Sequence, residues 1–447
     1  MYRTIDAAAT HSVAAALRQT GAGIGALTSR VGMLLPRTHE LHLVNRSISW
    51  WDVAAGDLER RAAGIESSPS SRSGPEWIQG LPRAEDLEPP SVAAAFFAGL
   101  SRPQAEALAD RFPDRVGPIN GVPPAIRFRA NHHLAVRYFD DLQRIRRVLT
   151  GTHRGFGWTT EDLLNLLRPT IALPSGRSGA QQLADLDQRI ADAERWAIEG
   201  HHFLRFDPAG DGKVVEVLGD LETSRHIAVV VPGIANDLST YERGVRSNAT
   251  ALYETVDRSD AAVIAWLGYD APDGLIAAAG SRPDTAAESL VQMLAGLAVS
   301  LNHDVHTTLI GHSYGSLVVG AALQAGGRAD DAVLIGSPGV GADHASDLGS
   351  TSSTRVWVGR TGSDPITFAR AFECVDLVPI CYPSPDRLYF GLDPIDPSFG
   401  ATPFETGDAP IQGAHSAYFR LGSPALRNLA FIFTGQYDRV TAAVPSP

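Results

Sequence analysis

Cysteine is scarce in this sequence. Its 447 residues contain only Cys374 and Cys381, with six residues between them. Two cysteines cannot form a structural zinc site by themselves, and no pair of histidines has zinc-finger spacing. The sequence therefore predicts no metal site. Two interpretations of the cysteines stay open: a pair of buried apolar thiols, or a short disulfide loop that would imply an oxidising compartment.

Long apolar runs and an excess of basic side chains are also missing. No apolar run reaches the about 20 residues that a membrane-spanning helix requires, and the first residues lack the pattern of a secretory signal peptide. Lys and Arg number 38 against 50 Asp and Glu, a formal net charge of −12. This balance argues against binding nucleic acid or anionic lipid surfaces. We expect a soluble cytoplasmic protein, with export by a non-classical, type VII-like route as the alternative.

The composition, 44% hydrophobic and 20% charged, is that of a globular protein. Residues 1–200 predict a helical N-terminal region, with a linker rich in Pro and Ser near residues 67–90. Residues 201–440 alternate short β-rich runs with helical segments. This alternation predicts an α/β fold with a doubly wound, mostly parallel sheet, preceded by the helical region.

One pentapeptide carries the strongest chemical signal. Residues 311–315 spell GHSYG, between the apolar run TTLI and the apolar segment SLVVGAAL. A strand that turns directly into a helix needs glycines on either side of the turn and leaves the central serine exposed at the edge of the sheet. The pattern therefore predicts Ser313 as a nucleophile.

A serine hydroxyl needs a histidine base and an acid that orients the base. In folds with this turn the chain order is serine, acid, histidine. Of the two histidines after Ser313, His344 follows one strand too early, so His415 is the predicted base. Asp364 is the first carboxylate after the apolar run TRVWVG, and we predict it as the acid. The rival acids are Asp376, Asp393 and Asp396.

An oxyanion hole requires two backbone N–H groups that converge on one point. The residue after the nucleophile, Tyr314, is one candidate. Ile234 is the other, because it follows the apolar run HIAVVVPG and Gly233 allows close approach of the backbone. The sequence contains no pattern that calls for a cofactor.

These motifs resemble an actinobacterial α/β-hydrolase family long catalogued as a domain of unknown function. The resemblance spans about residues 92 to 435 and is carried by several separated motifs in the same order. They are VVVPG, AWLGYDAP (265–272), GHSYGSLVVG, GSPGVG (336–341), the Asp-Pro pair at 364–365, FGLDPIDPSFGA (390–401) and HSAYF. The resemblance implies the α/β-hydrolase fold, a triad of Ser313, Asp364 and His415, and hydrolase activity.

The preceding segment departs from the family pattern. Phe96-Phe97 stand where the family usually has paired tryptophans. Asn120 begins the turn that usually begins with Asp, and His132 ends the motif that usually ends with Arg. Relatives often carry a helical region similar to WXG-type secretion substrates, but here Trp77-Ile78-Gln79-Gly80 lies in the predicted linker.

Together these patterns predict a serine hydrolase that cleaves a small or lipid-like acyl ester. The alternatives are an acyltransferase with the same triad and a non-catalytic binding or secretion-associated module. Between Asp364 and His415 the sequence is rich in apolar and aromatic residues, which either line an apolar pocket or bury this segment against the core. They are Phe368, Phe372, Leu377, Val378, Ile380, Tyr382, Leu388, Tyr389 and Phe390. If they line a pocket, turnover should rise as the acyl chain lengthens.

Overall fold

The computed structural model describes residues 82–150, 179–198, 200–274, 278, 283–349, 354–368, 370–374, 381–388 and 390–443. The described residues belong to one compact unit, Pro82–Pro447. The predicted helices within 1–81 and 151–178, and most of the predicted linker, lie outside the described residues. The change from helices to strands falls at His202, beside the predicted boundary at residue 200. The division into two domains there stays a prediction.

Helices come first along the chain and then alternate with strands. The helices are α1 (Pro90–Ala98), α2 (Arg102–Arg111), α3 (Pro113–Val116), α4 (Pro124–Thr150), α5 (Gly179–Trp196), α6 (Ser247–Thr255), α7 (Asp284–Ser300), α8 (Tyr314–Gln324) and α9 (Pro424–Phe433). The strands are β1 (His202–Asp207), β2 (Lys213–Leu218), β3 (His226–Val231), β4 (Ala261–Leu267), β5 (His306–His312), β6 (Asp331–Ile335), β7 (Arg355–Gly359), β8 (Arg370–Cys374), β9 (Cys381–Leu388), β10 (Gly391–Leu392) and β11 (Thr402–Pro403).

The main sheet has eight strands in the order β1-β2-β4-β3-β5-β6-β7-β11. Strands β1 and β2 form an antiparallel hairpin, and β2 pairs antiparallel with β4. Each remaining pair is parallel. The strand order reverses direction at β3 and β5, which is the topology of a doubly wound sheet. The predicted fold class, α/β with a mostly parallel sheet, is confirmed.

Apolar cores cover both faces of this sheet. Along β3, Ala228 and Val230 face one core, whereas Ile227, Val229 and Val231 face the other. Successive side chains of a strand point to opposite faces, so a strand buried on both sides must be apolar at every position. This requirement explains why the central strands are unbroken apolar runs in the sequence.

Helices from both halves of the chain pack on the sheet. Leu142 of α4, Leu186 of α5 and Leu429 of α9 belong to the core on one face. Leu290 of α7 and Val318 of α8 belong to the core on the other. The helices that precede residue 200 therefore share an apolar core with the strands that follow it.

A smaller sheet lies between β7 and α9 in the chain. It has three strands in the order β10-β9-β8, all antiparallel. Its backbone register places Cys374 directly opposite Cys381. Both interpretations of the two cysteines, buried thiols or a disulfide loop, stay untested, and the residues between them, 375–380, lie outside the described part. Within the described residues, no helix is both long enough and apolar enough to span a bilayer.

One buried asparagine joins the N-terminal helices to the sheet. Asn131 of α4 is 1% exposed. Its Nδ2 donates to the backbone oxygens of Gly117 (3.2 Å) and Phe203 (2.9 Å), and its Oδ1 accepts from the N–H of Phe206 at 3.1 Å. It therefore satisfies backbone groups at both sides of the junction between α4 and β1.

Replacing Asn131 with alanine should lower the free energy of unfolding by about 2–3 kcal/mol, since buried backbone groups lose their partners. Urea unfolding of the purified protein measures this. The matched control is Asn302→Ala, at an exposed position, for which we expect a change within about 0.5 kcal/mol. Equal stability of the two variants would contradict the proposed role of Asn131.

Candidate active site

Loops at one edge of the main sheet carry the predicted site residues. Parallel strands present their carboxyl ends at the same edge, where α/β proteins bind their ligands. Ser313 directly follows β5, and Ile234 lies three residues after β3. Asp364 lies in the loop after β7, and His415 lies in a short 3-10 helix, Ala414–Phe419.

Ser313 has a strained backbone. Its φ is 55° and its ψ −129°, values that non-glycine residues rarely adopt. A Cβ atom on Gly311 would lie 2.5 Å from Ser316 Cα, and one on Gly315 would lie 2.3 Å from the oxygen of Val231. Only glycine fits at either position. The turn thus places Ser313 at the N-terminus of α8, as the pentapeptide pattern predicts. The predicted exposure of the serine is wrong, because neighbouring loops leave it only 4% exposed.

Asp364 and His415 are bonded to each other. His415 Nδ1 lies 2.9 Å from Oδ1 and 3.1 Å from Oδ2 of Asp364, whose carboxylate is fully buried. The N–H of Ile366 also donates to Asp364 Oδ1, at 2.9 Å. A carboxylate at Nδ1 fixes the tautomer in which Nδ1 carries the proton, leaving Nε2 of the imidazole free to accept one.

The rival residues lie in other environments. Asp393 forms a buried ion pair with Arg360 at 2.8 Å. Asp396 caps a short helix by accepting from the N–H of Ser398 at 2.8 Å, and Asp376 is outside the described residues. His344 is exposed, with its Nδ1 3.2 Å from the backbone oxygen of Ser398. Among the candidate acids and histidines that the structure describes, His415 and Asp364 are the pair that bond to each other.

Tyr418 is a third member of this group that the sequence analysis missed. Its hydroxyl donates to Asp364 Oδ2 and accepts from the N–H of Thr361 at 3.3 Å. Residues three apart in a 3-10 helix lie on the same side, so Tyr418 and His415 both reach Asp364. The spacing H-x-x-Y was visible in the sequence, but the 3-10 conformation that gives it meaning was not.

Hydrogen bonding opposes burial at Asp364. Burial by itself raises the pKa of a carboxyl. Here the hydrogen bonds from His415, Tyr418 and the backbone of Ile366, together with the charge of His415, outweigh burial and hold the pKa of Asp364 below its ordinary value. The carboxylate is therefore ionised at neutral pH.

His312, the residue before the serine, also contacts the histidine. Its Nε2 lies 2.5 Å from the backbone oxygen of His415, and the two ring centroids are 4.9 Å apart. Burial, reinforced by the charge of His415, lowers the pKa of His312 to about 4. His312 is then neutral at pH 7 and donates its Nε2 proton to this oxygen, which ties the His415 helix to the serine turn.

The described contacts join His415 to Asp364 but do not join either residue to the Ser313 hydroxyl. Among the described residues, no hydrogen bond joins Ser313 Oγ to His415. A Cβ atom on Gly336 would lie 3.0 Å from Asp364 Oδ2 and 3.1 Å from His415 Nδ1, so the loop after β6 backs this pair. Bonds between a nucleophile and its base are often long in unliganded enzymes and tighten when substrate binds.

The segment after β3 lies against the serine. A Cβ atom on Gly233 would lie 2.7 Å from Ser313 Cβ and 3.1 Å from its Oγ. Next in the chain is Ile234, the candidate oxyanion-hole donor. Ala235 follows with a φ of 55°. It and Ser313 are the two non-glycine residues with positive φ in the described chain, and both border the site.

No group of three or more His, Cys, Asp or Glu side chains in the described ranges is arranged to hold a metal ion.

Comparison with known proteins identifies the fold. A family described as "Alpha/beta hydrolase" matches residues 207–374, the range that contains β2 to β8 and the serine turn. The chain has the α/β-hydrolase fold. One similar solved structure is a serine hydrolase without a lid from Xanthomonas campestris. The match covers 38% of this chain and 74% of that protein, with 19% sequence identity and a TM-score of 0.27.

The curated relatives of this chain include mycobacterial proteins. The uncharacterized protein Rv2079 of Mycobacterium tuberculosis is 28% identical over 386 residues, which are 80% of this chain and 58% of that protein. The uncharacterized protein Mb0988c of Mycobacterium bovis is 39% identical over 166 residues, 34% of this chain and 62% of that protein. The chain thus spans about three fifths of the length of the relatives it matches.

The bonds at Asp364 predict a pH dependence. A folded-state pKa held below the unfolded value of about 3.9 stabilises the protein above that pH, and this contribution is lost as pH falls through the folded-state pKa. The stability advantage of wild type over Asp364→Asn should therefore be largest near pH 7 and shrink below about pH 4.

Urea unfolding of both proteins at pH 7, 5, 4 and 3 measures this difference. The variant Asp408→Asn, at an exposed position, serves as the matched control and should show little change over the same range. An advantage that stays constant from pH 7 to pH 3 would contradict the assignment of a lowered pKa to Asp364.

Proposed function

We propose that this α/β-hydrolase is a serine esterase that cleaves carboxylic esters through an acyl-enzyme on Ser313. The observation that carries the proposal is the strained serine turn beside a buried aspartate, Asp364, that is bonded to the half-buried His415. Ser313 has positive φ at the N-terminus of α8, and His415, bonded to Asp364, is tied by its backbone to the neighbouring residue His312. The nucleophile Ser313, the orienting acid Asp364 and the base His415 follow each other in the chain order of this fold.

Acylation begins with proton transfer. His415 Nε2 accepts the proton of Ser313 as Oγ attacks the ester carbonyl carbon, which becomes tetrahedral and places the negative charge on its oxygen. The C–O bond to the alcohol then breaks, and His415 returns the proton to the leaving oxygen. Asp364 keeps the imidazole in the required tautomer and stabilises its charged form.

The N–H groups of Tyr314 and Ile234 are the proposed donors to the negatively charged oxygen. Tyr314 is the first residue of α8, where the helix dipole favours negative charge. Ile234 follows Gly233, whose backbone contacts Ser313. Deacylation repeats the same steps in reverse order, with water in place of the alcohol, and releases the carboxylic acid.

A small or lipid-like acyl ester is the proposed substrate class. Phe390, half-buried, packs edge-on against Tyr314 with ring centroids 5.9 Å apart, which gives an apolar flank next to the nucleophile. The other predicted pocket residues between 364 and 415 have side chains outside the described part, so the rise of turnover with acyl length stays a prediction. Each methylene that is buried would contribute about 0.8 kcal/mol.

Ser313→Ala should lower kcat on p-nitrophenyl butyrate by about 10⁴-fold or more, because only binding and oxyanion effects survive loss of the nucleophile. Initial rates across a p-nitrophenyl ester series measure this, and a fluorophosphonate probe followed by peptide mass mapping locates the labelled residue. Ser300→Ala, at the end of α7, is the control and should keep full activity. Labelling elsewhere, or turnover retained in Ser313→Ala, would refute the proposal.

Two aspartates offer a matched comparison. Asp364→Asn should lower kcat by about 10³- to 10⁴-fold because the histidine loses its orienting charge. Asp393→Asn breaks the ion pair with Arg360, so it should reduce thermal stability and leave kcat within about threefold at a temperature where the protein is folded. The reverse order of effects on kcat would assign the acid to Asp393 instead.

A further inference from the structure

The segment after β4 holds the loop that contacts the serine. Tyr269, two residues beyond the end of β4, is 6% exposed. Its hydroxyl donates to the backbone oxygen of Pro232 at 2.7 Å and lies 3.3 Å from that of Gly233. The AWLGYDAP motif therefore touches the oxyanion-hole loop, although the sequence analysis gave this motif no role.

These contacts fix the direction of two N–H groups. In a planar trans peptide the C=O and the following N–H point in opposite directions. The oxygen of Pro232 shares its plane with the N–H of Gly233, and the oxygen of Gly233 shares its plane with the N–H of Ile234. Because Tyr269 draws both oxygens to one side, both N–H groups are turned to the opposite side of the loop.

Three further hydrogen bonds hold the same loop. Asn236 Nδ2 donates to the oxygens of Gly233 (3.2 Å) and Ile234 (3.0 Å). The N–H of Ala235 donates to the oxygen of Pro272 at 2.8 Å, which ties the strained residue to the end of the AWLGYDAP motif. The loop is thus held at four consecutive residues, 232–235. The bonds from Tyr269 hold its first two residues, and the second of these, Gly233, lies beside Ser313.

Packing holds the Tyr269 ring in place. The ring stacks on both Trp266 and Tyr314, with centroid distances of 5.7 and 6.4 Å and interplanar angles of 16° in both pairs. Burial raises the pKa of Tyr269 well above its usual value, so the hydroxyl keeps its proton at neutral pH. A fixed, protonated phenol next to two carbonyls acts as a permanent donor.

We propose that Tyr269 is a positioning residue for the oxyanion hole, which it sets by holding the peptide planes on either side of Gly233. This inference rests on the proposed esterase function of Ser313. It predicts that loss of the Tyr269 hydroxyl weakens the binding of tetrahedral species and leaves ester binding nearly unchanged. The reason is that the ground-state ester interacts more weakly with the oxyanion donors than the transition state does.

The test compares two inhibitors on Tyr269→Phe, which removes one oxygen and keeps the stacked ring. An alkyl trifluoromethyl ketone is attacked by the serine and forms a tetrahedral oxyanion, whereas the corresponding secondary alcohol cannot. The Ki of the ketone should rise about 10- to 100-fold, somewhat less than the loss expected when an oxyanion donor is removed outright. The Ki of the alcohol and the KM for p-nitrophenyl butyrate should change less than about twofold, and kcat should fall in parallel with ketone affinity.

Tyr437→Phe is the matched control. Its hydroxyl donates to the buried Asp331 at 2.8 Å, at the opposite edge of the sheet from Ser313, where β6 begins. It should cost stability while leaving the ketone-to-alcohol Ki ratio unchanged. If Tyr269→Phe fails to fold, Asn236→Ala, which removes the other side-chain donor to Gly233, should show the same selective loss of ketone affinity.

An unchanged Ki ratio in Tyr269→Phe, or an equal loss for ketone and alcohol, would overturn the inference. Failure of the esterase proposal has a different signature, because wild type would then show no fluorophosphonate labelling at Ser313 and no tighter binding of ketone than alcohol. The wild-type measurements thus test the function, and the variant tests the role of Tyr269.

Discussion

Ser313 stands where strand β5 passes into helix α8 within a single residue, and its φ of 55° records the sharpness of that turn. Such a conformation costs about 1–3 kcal/mol and persists only where the surrounding structure imposes it. The ladder bonds of β5 with β3 and β6 impose it on one side. The apolar face of α8, packed on the sheet through Val318, imposes it on the other. The packing of the apolar strands therefore holds Ser313 in its strained backbone conformation at the edge of the sheet.

The polar groups around the serine form a connected chain of bonds. Tyr418 and His415 both bond to Asp364, and His312 bonds to the backbone of His415. A buried carboxylate is costly unless its oxygens are satisfied, and here each has a donor. A neutral His312 adds no second positive charge beside His415. In the proposed mechanism such a charge would oppose formation of the His415 imidazolium.

The sequence predicted those parts that depend on neighbours along the chain. Alternating apolar runs predict the parallel sheet because each central strand is buried on both faces, and the glycines of GHSYG predict the turn because Cβ atoms there would collide with backbone. The roles of His312, Tyr418 and Tyr269 were not predictable in the same way. Each depends on which loop lies opposite, and loop packing leaves no periodic signal in the residues themselves. The shared core of α4 with the sheet was missed for the same reason.

The residues that were missed have a common property. Tyr418, His312 and Tyr269 all bond to groups that hold the candidate catalytic atoms, namely a carboxylate or backbone carbonyls. A short turn has few bonds of its own, so donors from outside the loop add to those within it, as Tyr269 adds to Asn236 at the oxygen of Gly233. An edge built from loops after separate strands therefore needs such donors, and rigid, buried side chains supply them with little loss of conformational entropy on binding. On this view the aromatic residues beside Ser313 serve to aim the backbone as well as to fill the core.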